Sequence, residues 1–354
     1  MGLRYKGVQW NGNKIVYDLY ILAAVAAFIA VYVAIGLGVY PGGHVADPVV
    51  LLIRALGSAA FLMLTITLTI GPLARLSPRF LPFLYNRRHL GVLTFLVATA
   101  HFALALFWYH GGGPLNPFVS LLISNPLYGS VEGFPFEAFG LAAFVILFLM
   151  AATSHDFWLT NLSAPAWKLL HMLVYAAFGL LILHIAYGAL MTEKSPVYVA
   201  LTVAALILVA GLHLVAGLRE WSRDSGMKGL AAPDGWIDVC APADIPDKRA
   251  VIAPLPKGDR VAIFRNGAKI HAVENACKHQ NGPLGEGCIK DGLITCPWHG
   301  WQYRLEDGVS PPPYNEQIAT HDVRLSGAGR VFVSVRKNPA GKAGAFIMLA
   351  ENAR

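Results

Sequence analysis

Two short stretches late in the chain, Cys277-Lys-His279 and Cys296-Pro-Trp-His299, place thiols and imidazoles at metal-ligand spacing, with sixteen residues between them. Each loop offers one sulfur and one nitrogen. Two chemistries use this set of ligands. A [2Fe–2S] cluster can take two thiolates on one iron and two neutral imidazoles on the other, which raises its potential above that of an all-Cys cluster. A structural zinc ion takes Cys₂His₂, but a zinc finger places its two Cys together and then its two His, whereas here they interleave.

A second set of chemistry-bearing residues lies in apolar surroundings. His101, His171, His184 and His213 fall inside long hydrophobic stretches, and His89 stands at the edge of one. Ionisable groups at bilayer depth are costly and mark functional positions; the alternative for each is a neutral His hydrogen-bonded to a neighbouring helix.

The elements that position these groups follow from composition. The chain has 354 residues, 55% hydrophobic and 14% charged, with a mean hydropathy of +0.51, well beyond an ordinary globular balance. Residues 1–232 carry 13 Lys+Arg and 8 Asp+Glu, while residues 233–354 carry 15 and 13. The expected division is an N-terminal segment 1–15, a membrane domain 16–218, a polar linker 219–232, a β domain 233–338 and a tail 339–354.

A bilayer core of about 30 Å needs roughly 20 apolar residues in a helix. Six stretches meet that length: 16–40, 50–73, 89–109, 136–154, 167–190 and 196–218. The first lacks a small-residue cleavage site and reads as a retained span. Basic residues set the orientation. Arg4, Lys6, Lys14, Arg75, Arg79, Arg87, Arg88, Lys168, Arg219, Arg223 and Lys228 fall on one side, and only Lys194 on the other. Both termini and the β domain are therefore expected in the cytoplasm. A pI near 9.2 is explained by this topology, and no nucleic-acid partner is expected.

Depth arithmetic groups the histidines. His184 lies 13 residues beyond His171, about 20 Å along the axis, and His101 lies 12 residues into span three, matching His184 in depth. Two imidazoles from neighbouring helices at one depth suit a six-coordinate haem. His171 would then serve an inner haem, with His89 or His213 as its partner. Arg54 would meet a haem propionate.

The stretches "RRHLGVLTFLVATAH" (Arg87–His101), "WKLLHMLVYAAFGLLILH" (Trp167–His184) and "TIGPLARL" (Thr69–Leu76) resemble the ferric reductase-like transmembrane family. The likeness is nearest the bacterial MsrQ-type haem subunits that supply electrons to a methionine sulfoxide reductase. It implies a six-helix bundle with haem b, one or two groups, on His101, His171 and His184. Two-haem relatives have a histidine on span three where this chain has Arg87.

Short alternating runs such as "RVAIFRNG", "KIHAVEN" and "RVFVSVR" read as an all-β domain after residue 233. Within it, "CKHQNGPLGEG" and "CPWHGWQYRLEDG" closely resemble the Rieske ferredoxin and oxygenase-ferredoxin pattern, which implies cluster ligands Cys277, His279, Cys296 and His299. Pro311–Pro313 match that family's shielding loop. Rieske proteins of cytochrome bc complexes add a disulfide, whose positions are Gly282 and Trp298 here, and a serine where Trp301 stands. Fewer hydrogen bonds to the sulfurs should lower the potential. Cys240 and Cys288 match no ligand position. Only 55 residues follow His299, too few for the catalytic domain of a Rieske oxygenase.

The expected function is electron transfer rather than stand-alone catalysis, in a multi-pass protein of the bacterial inner membrane. Its expected partners are membrane lipid, a cytoplasmic redox protein or reductase, and a quinone or periplasmic redox partner. The 110–135 loop is the expected outer docking or quinone site. A ferredoxin on a haem-free helical anchor is the other reading, though an anchor needs one span rather than six.

Overall fold

A computed structural model describes residues 12–39, 47–84, 86–154, 162, 164–193, 196–228, 234–256, 258–279, 281–298, 300–312 and 314–350. Arg4, Lys6, Lys194, His299 and Pro313 lie outside the described residues.

The membrane domain is helical throughout its apolar stretches. Its main helices are α1 (Gly12–Val39), α2 (Pro48–Leu76), α3 (Arg87–His110), α4 (Phe136–Ala152), α5 and α6 (Pro196–Lys228). Helix α5 runs as Ala164–Met172 and Val174–Ile185, then a π-turn over Ala186–Leu190. Five of these helices are long and apolar enough to cross a membrane. The sixth, α4, has 17 residues, about 25 Å at 1.5 Å per residue, short of the full hydrocarbon thickness. Thr153 and Ser154 end it by turning their hydroxyls back onto the Leu149 and Met150 carbonyls at 2.7 Å. Short helices at Leu81–Leu84 and Pro117–Ile123 join the long ones, so the described residues hold more helices than the six apolar stretches of the sequence.

Helix α2 is the hub of the bundle, and it carries the longest run of buried residues, including Leu64, Leu68 and Ala55. Asp47 caps its N-terminus by accepting the Val49 N–H at 2.8 Å, the arrangement that satisfies an otherwise orphaned donor. Much of the outer surface is large and apolar, with Leu19, Ile35, Leu206 and Leu214 among the exposed side chains, as expected where lipid replaces water.

Helix α6 has 33 residues, roughly 50 Å, and continues through most of the segment expected to be a linker. Its polar end, Arg219-Glu-Trp-Ser-Arg-Asp, is made of adequate helix formers with no glycine until Gly226.

Among the described residues ten strands build the β domain. Strands β1 (Trp236–Cys240), β9 (Val331–Lys337), β8 (Thr320–Leu325), β4 (Lys269–Glu274), β3 (Arg260–Asn266) and β2 (Ala250–Pro254) lie side by side in that order. Strand β10 (Ile347–Met348) pairs antiparallel with β4. Part of the expected C-terminal tail, 339–354, thus adds to the sheet and buries Ile347 and Leu349 in its core. A smaller antiparallel sheet, β5 (Cys288–Lys290), β6 (Leu293–Thr295) and β7 (Gln302–Arg304), carries the second Cys/His loop between β6 and β7.

Candidate functional site

Helices α3 and α5 bring His101 and His184 together, with ring centroids 6.4 Å apart and planes at 83°. His101 Nδ1 lies 2.9 Å from the Ile53 carbonyl on α2, and His184 Nδ1 lies 2.9 Å from the Phe136 carbonyl at the start of α4. A carbonyl only accepts, so Nδ1 carries the proton in both rings and Nε2 is left as the ligating nitrogen. One metal atom between two imidazoles, at about 2 Å per metal–nitrogen bond, needs centroids roughly 6 Å apart. The observed spacing fits. Two glycines make the cradle: a Cβ at Gly140 would lie 2.7 Å from His184 Nδ1, and one at Gly57 would lie 3.0 Å from the His101 ring. The π-turn begins two residues after His184, a distortion often found at functional positions.

The other membrane histidines have different neighbours. His171 stacks on Trp167 at 3.6 Å with Nδ1 toward the Trp167 carbonyl at 3.0 Å, and its Nε2 lies 3.5 Å from Ser154 Oγ. His89 pairs with Asp18 at 3.0 Å. His213 meets the Tyr175 hydroxyl at 2.9 Å. Among the described residues neither His89 nor His213 touches the His171 ring. Arg54 follows Ile53, whose carbonyl holds His101, and lies within electrostatic reach of Tyr32.

In the β domain the two Cys/His loops are built alike. Cys277 donates its N–H to the Gly282 carbonyl at 2.9 Å and accepts the Asn281 N–H at 2.6 Å. Cys296 donates to the Trp301 carbonyl at 2.7 Å and accepts the Gly300 N–H at 2.9 Å. Asn281 and Gly300 both adopt left-handed backbone, φ 60° and 71°, which Asn and Gly tolerate best. The thiols of Cys277 and Cys296 are 2% and 1% exposed. At Gly282 a Cβ would stand 2.8 Å from Cys296 Sγ and 3.2 Å from the Trp298 ring, so the loops close over each other only because that residue is glycine. All four cysteines are free thiols, and Gly282 and Trp298, at the positions of the bc-type disulfide, lie against each other.

A two-iron cluster divides its ligands between two metals, and paired loops suit that division.

Trp301 stacks on His279 at 4.1 Å and donates its Nε1–H to Ser310 Oγ at 3.1 Å. Tyr314, just past the Pro311–Pro313 segment, packs edge-on against Trp301 at 4.2 Å. Tyr303 was not visible as a site residue in the sequence. Its hydroxyl accepts the Lys278 N–H at 3.0 Å and lies 3.3 Å from Cys277 Sγ, leaving its own proton for the sulfur. Burial and the adjacent thiols push its pKa well above the ordinary phenol range, so it remains a donor. Cys240 is buried in the large sheet's core, where burial pushes its thiol up to about 11; an inert structural role follows.

The β domain rests on the arginine-bearing end of the bundle. Arg75 on α2 meets Glu286 at 3.1 Å, and Arg260 on β3 meets Glu220 and Asp224 of α6 at 2.9 and 2.6 Å. At the same boundary, Trp298 of the second Cys/His loop faces Trp167 of α5 with centroids 6.1 Å apart.

A helical membrane domain holding a paired-histidine site, joined to a β domain with paired Cys/His loops, defines a membrane redox protein of two parts. Residues 56–182 match the family of ferric reductase like transmembrane components, and residues 235–322 match the Rieske [2Fe-2S] domain family. The chain is 30% identical over 194 residues to the protein-methionine-sulfoxide reductase heme-binding subunit MsrQ of Ralstonia nicotianae, covering 53% of this chain and 81% of that protein. It is 36% identical over 143 residues to MsrQ of Bordetella parapertussis, covering 40% of this chain and 63% of that protein. The ferredoxin component of the alkene monooxygenase system of Xanthobacter autotrophicus is 29% identical over 105 residues, 29% of this chain and 84% of that protein. The chain belongs to the MsrQ family of haem-binding membrane subunits and carries a Rieske domain in addition.

Proposed function

We propose that the protein is a transmembrane electron conduit. It exchanges electrons between a cytoplasmic Rieske cluster held by Cys277, His279, Cys296 and His299 and haem b held by His101 and His184. The observation that carries this reading is the 6.4 Å histidine pair with both Nδ1 atoms committed to carbonyls. When bound, the two groups supply one-electron chemistry; the chain's own residues fix their ligands, bury them and exclude water. Arg54, at the level of Ile53, would pair with a propionate. His171 would serve a second, inner haem with His89 or His213 as its partner; His89 meets Asp18 through Nδ1, which leaves its Nε2 as the ligating atom, whereas His213 Nε2 meets Tyr175.

The β domain contacts the Arg75 and Arg219 end of the bundle: Arg75 reaches Glu286, and Arg219 donates to the Leu76 carbonyl at 2.7 Å. The positive-inside rule then supports a cytoplasmic Rieske domain in a bacterial inner membrane. A cytoplasmic reductase or redox protein would exchange electrons with the cluster. A quinone or periplasmic redox protein would meet the opposite end, near the 110–135 loop.

Reduced optical spectra and EPR of the purified full-length protein test the reading. The expected result is a b-type haem spectrum together with a low-average-g Rieske signal. Well-folded protein with the cluster signal and no haem would overturn it and leave a membrane-anchored ferredoxin.

A further inference from the structure

We propose that Trp298 and Trp167 form the seat on which the cluster loop docks against the membrane domain, setting the contact between the two redox parts. This rests on the conduit reading. Trp298 lies between Cys296 and His299, and its ring packs over Gly282 of the other Cys/His loop. It is thus fixed to both loops. Across the boundary Trp167 is 7% exposed, although a Trp at the end of an apolar helix ordinarily sits in the headgroup layer.

Trp167 is itself held from three sides. Its Nε1–H donates to the Thr153 carbonyl at 3.3 Å, its own carbonyl takes His171 Nδ1 at 3.0 Å, and its ring is stacked on His171 at 3.6 Å and 23°. The rings Trp298, Trp167 and His171 therefore form a continuous aromatic series from the cluster loop into α5. The same boundary carries ion pairs, Arg75 with Glu286 and Arg260 with Glu220 and Asp224, and these lie within electrostatic reach of one another at Glu286. The charged pairs orient the approach, while the aromatic contact supplies the apolar part, a usual division of labour in a specific interface. The step served is a one-electron exchange: one part is oxidised as the other is reduced, and no bond or proton moves. Trp167 and Trp298 act in it as positioning residues, and His171 positions Trp167.

The test uses full-length protein carrying both groups. The cluster is flash-reduced with a ruthenium photoreductant, haem absorbance is followed in time, and hydrogen–deuterium exchange is read separately over Ala164–Met172. Trp167→Ala and Trp298→Ala are expected to lose the fast phase of haem reduction and to raise exchange in that segment. In Trp167→Ala cluster EPR and static haem spectra should stay unchanged, and Trp167→Phe should retain the fast phase. Should Trp298→Ala lose its cluster, Trp167→Ala, outside the Rieske fold, still decides. A fast phase and exchange pattern unchanged in Trp167→Ala would overturn the seat. A parent protein with no haem reduction at all would overturn the conduit reading instead, and the exchange measurement would then decide the seat alone.

Discussion

His101 on α3 and His184 on α5 face one another at 6.4 Å, each with Nδ1 engaged by a backbone carbonyl from a different helix. Four helices thus define one metal-sized gap: α3 and α5 supply the rings, α2 and α4 the carbonyls. Both rings would hold the same haem, so replacing either would remove one of its two protein ligands. His101→Ala and His184→Ala are therefore expected to lose the same haem, read as loss of the same Soret band, while the Rieske EPR signal persists. Loss of different haems in the two variants would show that the rings do not share a metal.

The glycines behind those rings make a second prediction. Gly140→Ala places a methyl 2.7 Å from His184 Nδ1, and Gly57→Ala places one 3.0 Å from the His101 ring. Overpacking of this kind costs about 1–3 kcal/mol, here exerted on the ligand geometry. Haem content on purification should fall in both variants and further in Gly140→Ala, with secondary structure by circular dichroism unchanged. Full haem occupancy in Gly140→Ala would mean that His184 does not need its observed position.

The candidate ligands stand out in the sequence because their types are expensive or rare where they stand: histidines in apolar helices at matching depth, and Cys and His interleaved at short spacing. The supporting residues do not. Gly57 and Gly140 are common in membrane helices, and nothing in their neighbours announces a ring across the interface. Trp167 reads as an ordinary interfacial anchor, and Tyr303 as a sheet aromatic, until tertiary structure puts one against Trp298 and the other against Cys277 Sγ. Helix α6 runs to Lys228 because its polar end keeps helix-forming residues, whereas composition marked that end as a boundary. Strand β10 is two residues long, below the length at which a period-2 pattern can be seen.

The charged pairs of the docking surface should respond to salt. Arg75 is 42% exposed and Glu286 17%, so screening reaches the pair. Burial also raises the pKa of Glu286, with Arg75 acting against the shift. A raised carboxyl favours the protonated form in the docked state, so docking is disfavoured as pH rises through that pKa, and Arg75 limits the loss. Arg75→Gln removes this opposition. Cluster-to-haem transfer in Arg75→Gln should therefore weaken more than in the parent as pH rises above the ordinary Glu range. Identical pH dependence in the two proteins would show that the pair does not govern docking.

Tyr303 gives a prediction for the cluster's potential. Lys278 N–H already occupies the hydroxyl oxygen at 3.0 Å, so the phenolic proton points to Cys277 Sγ at 3.3 Å. Reduction adds negative charge to the cluster, and a donor to sulfur favours the reduced form. A hydrogen bond worth about 0.5–1.5 kcal/mol corresponds to roughly 20–60 mV for a one-electron couple. Tyr303→Phe is expected to lower the midpoint potential by about that amount, measured by redox titration of the EPR signal. An unchanged or higher potential would place the proton elsewhere.

Acid should loosen the β domain through its buried histidines. His321 is 1% exposed, its Nδ1 lies 2.8 Å from the Ser334 carbonyl, and its Nε2 has no hydrogen-bond partner among the described residues. His271 is 4% exposed and stacked on Phe346 at 5.0 Å. Burial lowers the pKa of both below the ordinary 6.5. The unfolded chain then binds more protons than the folded one between the depressed and the ordinary pKa, so stability is present above about pH 6.5 and is lost as pH falls toward the folded values. His321→Asn keeps a donor for the Ser334 carbonyl without a titrating group. The melting temperature of the Rieske signal in the full-length protein should therefore fall less steeply below pH 6.5 in His321→Asn than in the parent. Parallel curves would mean that another group, with His271 the next to test by the same substitution, carries the acid sensitivity.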